Sequence, residues 1–438
     1  MTSPNLSVSG PDGASVNSPS GRSAVWVTAV IFVASLATLV QSYLLVKLFF
    51  VALFLLAAGL NIGRGARMIT YPRLVVFYLA ISVAGFVWSM VGMLHNGNNE
   101  TGVFDALRLY CLWSFAFVVL YSLLRSQASL GAFHAAMVTA GVLISAINFF
   151  GLYDQIAGLG LFPEAARKEM EQYIGIHEGY IQITSQNIGA LFLVIPYLLT
   201  LQFRADAGEA NSKLTKVSLI LCVILAALSG RRALWLVVAL TPCVILLLSF
   251  VTKQGALLRV NGRRLLVVYS AAGVLALGLW SLVEERLPEA GSLSHLKDAF
   301  SSEDVRTIQE PYLIESFQES PLLGSGFGAY AGYQRSDERP WTYELTYHQL
   351  LFNLGAVGVL VLGAVYAVYL GLVVKLFRRS SRGSAIAFGL LVGFCCLLIG
   401  AYSNPYLRSF DFLFLAGVLP YLSTFQSGFD PAPRRMPA

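Results

Sequence analysis

Charged residues are scarce in this chain of 438 residues. Only 12% are Asp, Glu, Lys or Arg, whereas 56% are hydrophobic and the mean hydropathy is +0.67. This balance excludes an ordinary set of soluble domains. Apolar runs of about 17–22 residues, the length that crosses a bilayer as a helix, recur along nearly the whole chain. Because a helix satisfies its own backbone in lipid, the sequence predicts an all-α, polytopic membrane protein.

Cysteine patterns and common catalytic motifs are also lacking. The five cysteines all fall inside apolar runs, so we expect no disulfide framework and no metal cluster; they are Cys111, Cys222, Cys243, Cys395 and Cys396. The chain has no HExxH, CxxC, Walker loop, GxSxG or DxD-type metal pair. No internal repeat stands out, which argues against a secondary transporter. We therefore expect chemistry without a metal or other cofactor.

The apolar runs predict about twelve transmembrane helices in one domain, residues 24–426. Lys and Arg concentrate in every second connecting segment, which predicts cytoplasmic termini. Residues 1–23 are predicted to be a disordered cytoplasmic tail, and residues 427–438 a second tail. The predicted spans are 24–40, 43–60, 72–93, 104–124, 132–152, 186–203, 216–230, 233–251, 265–283, 346–374, 384–403 and 410–426.

One predicted external segment, residues 284–345, is unusually long and acidic. It holds 12 of the 24 Asp and Glu residues. Apolar residues at helical spacing predict a short helix over 303–319, although Pro311 makes two shorter pieces an equal alternative. The G-S-G-F-G motif follows at 324–328. Alternating glycines can cradle a phosphate, or they can let one stretch of backbone pass close to another.

Three arginines are candidate anion ligands on the external side. Arg231 and Arg232 lie in a short turn between two helices, where external loops should carry few basic residues. They either anchor the turn among lipid headgroups or bind the phosphates of a lipid substrate. Arg306 has the same potential role, but Asp304 and Glu310 are equally good partners by spacing.

The stretch Y-E-L-T-Y-H-Q, residues 343–349, places Glu344 and His348 four residues apart at a membrane boundary. At helical spacing the two side chains would share one face. A carboxylate beside an imidazole could remove the proton from a sugar hydroxyl. The simpler interpretation of a boundary histidine is a hydrogen-bonded interfacial residue.

Weaker candidates lie at other external helix ends. Asp105 and Arg108 have the spacing of a structural ion pair. Arg408 is a candidate third contact to phosphate or glycan. Four polar residues at the outer end of the 186–203 span could bind sugars or cap the helix; they are Tyr180, Gln182, Gln186 and Asn187.

These motifs together resemble the superfamily of O-antigen ligases and Wzy-type polymerases. The resemblance rests on the S-G-R-R-A turn, on V-R followed by P-L-L-G-S-G-F-G, and on the G-x-x-G of residues 355–358. It implies a bacterial inner-membrane glycosyltransferase that uses undecaprenyl-pyrophosphate-linked glycans at the periplasmic face, without metal and with inversion. It also implies that Arg231 and Arg306 bind the diphosphate. Arg232 stands where many members have glycine.

One departure from the ligase pattern favours a polymerase. Ligases carry a His eleven residues before the first glycine of G-x-x-G, and Glu344 has that position here, whereas His348 lies only seven before Gly355. Polymerase-like members often show Y-E-x-S/T-Y, which Tyr343 to Tyr347 resembles, so both tyrosines are candidate glycan contacts.

A polymerase of this kind would work with a flippase and a chain-length regulator. The alternatives are a ligase that transfers the polymer to lipid A core, and a lipid-linked glycan transporter. A transporter would need ionisable groups along a path through the membrane, and Lys47 is the main candidate.

Overall fold

A computed structural model describes residues 72–94, 98–114, 128–164, 174–177, 180–183, 185–258, 305–333, 339–379, 385–402 and 407, with isolated positions 33, 37, 52 and 56. Within these ranges the α-helices are α1 (Pro72–Leu94), α2 (Glu100–Leu107), α3 (Ala128–Ala157), α4 (Leu191–Phe203), α5 (Lys213–Leu228), α6 (Arg232–Val251), α7 (Val305–Glu319), α8 (Thr346–Arg379) and α9 (Ala385–Gly400). A π-helical turn, Arg108–Trp113, extends α2. The predicted helical fold is thus confirmed.

Four helices of the described part are long and apolar enough to cross a membrane. They are Val75–Leu94, Gly131–Gln155, Arg232–Val251 and Thr346–Arg378. Shorter apolar helices cover Asn187–Phe203 and Ala385–Gly400. The number twelve and the orientation stay predictions, because the spans predicted at 24–40, 43–60, 265–283 and 410–426 lie outside the described residues.

The described chain also contains a small antiparallel hairpin. Strand β1 (Ile174–His177) pairs with β2 (Tyr180–Ile183), with Ile174 opposite Ile183. Short 3-10 turns, Gln186–Ala190, Ala205–Asn211 and Gly255–Leu257, lie beside α4 and after α6. The hairpin occupies the segment predicted to be an external connection.

The centre of the core is the antiparallel pair of α4 and α9. Gly389 and Gly393 form a G-x-x-x-G pattern, which lets two helices approach closely in a membrane. A Cβ atom at Gly393 would lie 2.5 Å from the Leu193 side chain, and one at Gly400 would lie 2.3 Å from Phe192. The beginning of α4 therefore lies beside the end of α9.

The other end of this helix pair is fixed by a buried arginine. Arg204, directly after α4, donates two hydrogen bonds to Asp206, at 2.7 and 2.8 Å, and one to Gln254 at 2.8 Å. Its guanidinium carbon also lies 4.8 Å from the ring centre of Phe388 in α9. Gln254 in turn donates to the carbonyl of Phe377, so that α4, α6, α8 and α9 meet here.

Candidate functional site

The glycine-rich loop after α7 packs against a break in α8. The sequence predicted one uninterrupted helix over 346–374, but Gly355 has φ 61° and ψ −176°, which only glycine adopts readily. A regular helix would join the N–H groups of Ala356 and Val357 to the carbonyls of Phe352 and Asn353. The break releases all four of these backbone groups.

The loop satisfies each group that the break releases. Ala356 and Val357 donate to the carbonyls of Pro321 and Leu322, at 2.9 and 3.1 Å. The carbonyls of Phe352 and Asn353 accept from Ser325 and Gly326, at 3.0 and 2.9 Å. The G-S-G-F-G motif therefore acts as a backbone partner for the interrupted helix.

The alternating glycines permit this close approach on both sides. A Cβ atom at Gly324 would lie 2.4 Å from the backbone nitrogen of Gly355, and one at Gly326 would lie 2.2 Å from that of Gly92 in α1. Gly328 accepts a hydrogen bond from the backbone of Asn99 at 2.9 Å. All three glycines have positive φ. Of the two sequence-based interpretations, close backbone passage is the one observed.

Glu344 is partly buried beside α7, where it contacts Arg306. The Nε of Arg306 lies 3.0 Å from Oε2 of Glu344, and the two side chains are 29% and 18% exposed. The sequence had left Asp304 and Glu310 as equal partners for Arg306, whereas the observed partner is 38 residues away in the chain. A guanidinium and a carboxylate that solvent can reach thus lie side by side.

His348 contacts α7 one turn after Arg306. Its Nε2 lies 3.8 Å from Oε1 of Glu310, and its ring centre lies 6.3 Å from that of Tyr402. The expectation that Glu344 and His348 share a helical face is wrong, because α8 begins at Thr346 and Glu344 precedes it. The two residues are related instead through α7, where Arg306 and Glu310 are one turn apart.

The two tyrosines of the stretch make structural contacts. The hydroxyl of Tyr343 is buried and accepts a hydrogen bond from the backbone of Ala331 at 2.7 Å. Burial raises the pKa of Tyr343 to about 12, so its hydroxyl stays protonated. Tyr347 is partly exposed and donates to the carbonyl of Leu398 at 2.6 Å. Both residues fix the segment that carries Glu344.

Arg231 lies apart from Arg306, at the start of α6. Gly230 precedes it with φ 65°, and the Nη2 of Arg231 donates to the carbonyl of Ser185 at 3.4 Å. Arg231 and Arg232 are both partly buried. The turn predicted from the sequence therefore presents Arg231 towards the segment that leads into α4.

Asn187 belongs to a buried polar network under that segment. Its side-chain oxygen accepts from Ser185 at 2.7 Å and from Asn148 at 3.1 Å, and its nitrogen donates to the carbonyl of Ala37 at 3.1 Å. With every group of its amide engaged, Asn187 holds the backbone that Arg231 contacts. The side chain of Gln186 and all of Arg408 lie outside the described residues.

Arg231 and His348 both lie near one end of the α4 and α9 pair. Ser185 is separated from α4 by the 3-10 turn Gln186–Ala190, and Tyr402 lies two residues after the end of α9. Because α4 and α9 are antiparallel, these two residues are at the same end. Arg231 contacts the first of them, and His348 lies beside the second. The candidate site is therefore assigned to this end of the helix pair, and its candidate residues are Arg231, Arg306, Glu344 and His348.

The ion pair predicted between Asp105 and Arg108 is confirmed, at 2.8 Å. Within the described ranges, no group of three or more His, Cys, Asp or Glu residues could hold a metal ion.

Sequence reasoning missed the role of Gln309. This residue of α7 is fully buried and contacts the backbone of Glu344. Its position three residues after Arg306, on the same face of a helix, was the available signal.

Residues 217–363 match the O-antigen ligase family model (Wzy_C), and no curated protein and no solved structure matches the chain. The match spans the four residues that line the candidate site, together with the glycine loop and Gly355. The resemblance to the O-antigen ligase and Wzy-type superfamily is thus confirmed. It supports a membrane glycosyltransferase of the ligase or polymerase type, acting on a lipid-linked glycan and an acceptor.

Proposed function

We propose that this protein, which carries an O-antigen ligase family domain, polymerises undecaprenyl-pyrophosphate-linked repeat units of a surface polysaccharide. The reaction takes place at the periplasmic face of the bacterial inner membrane. The contact between Arg306 and Glu344 carries the proposal, because it joins a phosphate-binding group to a candidate base at 3.0 Å. The family match over both residues supports it.

In the proposed reaction, Arg231 and Arg306 bind the diphosphate of the donor. Guanidinium groups suit phosphate oxygens and stabilise the charge that develops on the leaving group. The diphosphate competes with Glu344 for Arg306, and its binding releases the carboxylate. The base thus becomes available when the donor is in place.

Glu344 then removes the proton from the acceptor hydroxyl. The hydroxyl oxygen attacks the anomeric carbon, and the bond from that carbon to the pyrophosphate breaks. Undecaprenyl pyrophosphate leaves with the bonding electron pair, and the anomeric configuration inverts. His348, which contacts Glu310 one helical turn after Arg306 in α7, is assigned the role of assisting this proton transfer.

A ligase that transfers finished polymer to lipid A core is the second candidate. The matched family is described as O-antigen ligase, and His348 followed by Gln349 preserves the dipeptide of ligases in a shifted register. Deleting the gene separates the candidates. A polymerase deletion leaves single-repeat material on the acceptor, a ligase deletion leaves long unattached polymer, and a transporter deletion traps the glycan on the cytoplasmic side.

The roles in the site are tested with purified protein in nanodiscs and a purified lipid-linked donor. Glu344→Gln should lower the transfer rate by about 10²–10⁴-fold, because general-base catalysis contributes about that much. If His348→Ala stays active in the same assay and Glu344→Gln does not, Glu344 is the base and His348 is only its neighbour. Arg108→Gln, in the turn that extends α2, serves as the control. Full activity of Glu344→Gln would remove Glu344 from the mechanism.

A further inference from the structure

Gln309 holds the backbone of Glu344 from a fully buried position in α7. Its Oε1 accepts the hydrogen bond of the Glu344 N–H group at 3.0 Å, and the side chain is 0% exposed. A backbone N–H can only donate, so this contact fixes the orientation of the Gln309 amide. The oxygen faces Glu344, and the nitrogen faces away from it.

The hydrogen bond matters because Glu344 lies outside regular secondary structure. Residues 342–345 precede α8, and no helix or strand provides a partner for the Glu344 N–H group. A buried backbone donor requires one. Gln309 supplies that partner, and Arg306, three residues earlier on the same face, contacts the Glu344 carboxylate at 3.0 Å. The helix α7 therefore holds residue 344 at two points.

The chemical type of residue 309 fits this arrangement. An acidic residue would accept the hydrogen bond but would compete with Glu344 for Arg306. A basic residue would compete with Arg306 for Glu344 and could not accept the bond. A neutral side chain with an acceptor at the end of two methylenes meets both conditions.

A packing role alone does not account for the amide. The Nε2 atom of Gln309 is buried and has no hydrogen-bond partner among the described residues. A buried unsatisfied donor destabilises a fold, and an apolar side chain of the same size would avoid this cost. The residue keeps the amide although only its oxygen is used, and that oxygen is bonded to Glu344.

We infer that Gln309 is a positioning residue for Glu344, which sets the Glu344 carboxylate against Arg306. This inference rests on the proposed function for its catalytic consequence, whereas the contact itself can be tested without substrate. Among the described residues, the charged and titratable groups that face Glu344 and His348 include Arg306 and Glu310 of α7 and Tyr402 after α9. Loss of the Gln309 contact should change how Glu344 meets Arg306.

The test compares Gln309→Leu with Gln318→Leu, a control at an exposed position of the same helix. Hydrogen exchange of the purified full-length protein is measured over residues 339–349. We expect the Glu344 amide to exchange about tenfold faster in Gln309→Leu and unchanged in Gln318→Leu, because only the first loses the acceptor. Unchanged exchange in Gln309→Leu, or a rise spread evenly over all of α7 and α8, would overturn the inference.

Turnover of the lipid-linked donor gives the second measurement. In Gln309→Leu, kcat should fall about 10–100-fold while KM for the donor changes by less than about threefold, since a displaced base slows the chemical step. An unchanged kcat, or a kcat that falls only together with a matching rise in KM, would contradict the positioning role.

A Glu344→Gln variant in the same series separates two failures. If Glu344→Gln is inactive and Gln309→Leu behaves like the wild type, only the inference about Gln309 fails. If Glu344→Gln is fully active, the proposed role of Glu344 fails, and the exchange experiment still decides whether Gln309 holds residue 344.

Discussion

Two arginines at opposite ends of the α4 and α9 pair differ in how they are held. The side chain of Arg204 is 0% exposed, donates to Asp206 and Gln254, and packs on Phe388. The side chain of Arg306 is 29% exposed beside a Glu344 side chain that is also accessible. A buried arginine with several partners joins helices, whereas an accessible one can exchange its carboxylate for the phosphate of a ligand.

Of these two arginines, Arg306 should have the larger effect on activity when it is replaced. Arg306→Ala should lower the transfer rate by about 10²–10³-fold, because the proposed mechanism then loses one group that stabilises the developing charge. The melting temperature should change little, since accessible ion pairs contribute about 0–1 kcal/mol to stability. Transfer from the lipid-linked donor and thermal unfolding in detergent are the two measurements.

One result for Arg306→Ala would contradict this difference between Arg306 and Arg204. If Arg306→Ala unfolds at a much lower temperature and the remaining folded protein transfers glycan at the normal rate, Arg306 is an anchor of the same kind as Arg204.

Replacing Arg204 should give the opposite result. Arg204→Ala should lower the free energy of unfolding by about 3 kcal/mol, because Asp206 and Gln254 lose their buried partner. Folded protein isolated at low temperature should keep its transfer rate, since Arg204 lies at the other end of the helix pair. Size-exclusion profiles and thermal unfolding measure the first effect, and the donor assay the second.

Arg108→Ala is the matched control, because Arg108 forms an exposed ion pair with Asp105. It should change neither stability nor activity measurably. A similar loss of stability in both variants would mean that the number of buried partners does not distinguish these arginines.

The helices of the described part could be predicted because their signal is local. Runs of apolar residues predicted α1, α3, α4, α5, α6, α8 and α9, with bounds that differ from the observed ones by up to five residues. The helix α7 followed from apolar spacing, and Pro311 lies within it rather than dividing it. Signals of this kind are contained in one short stretch of sequence.

The contacts of the candidate site could not be predicted, because their partners are distant in the chain. By spacing, Arg306 had Asp304 and Glu310 as neighbours, but its observed partner is Glu344. Asn187 was read as a cap or a sugar ligand, but its network needs Asn148 and the carbonyl of Ala37. Local spacing offers candidates, and only the packing of the helices selects among them.

The break in α8 could not be predicted for the same reason, and replacing Gly355 tests its effect on stability. Gly355 lies in an apolar run that reads as one helix, and its φ of 61° depends on a loop about 30 residues earlier in the chain. Gly355→Ala should destabilise this end by about 2 kcal/mol, because alanine is strained at this φ. Its Cβ would also lie 2.4 Å from the backbone of Gly324 and of Leu322.

The consequence of Gly355→Ala should be local to the end that contains the candidate site. Hydrogen exchange should rise over residues 321–328 and 352–357, where the four backbone hydrogen bonds join loop and helix. Exchange near Arg204 should stay unchanged. Gly363→Ala, at a glycine of α8 with open space around its Cβ position, provides the matched control. If exchange rises equally at both ends after Gly355→Ala, the two ends are one cooperative unit, and the distinction between an anchoring end and a reactive end must be abandoned.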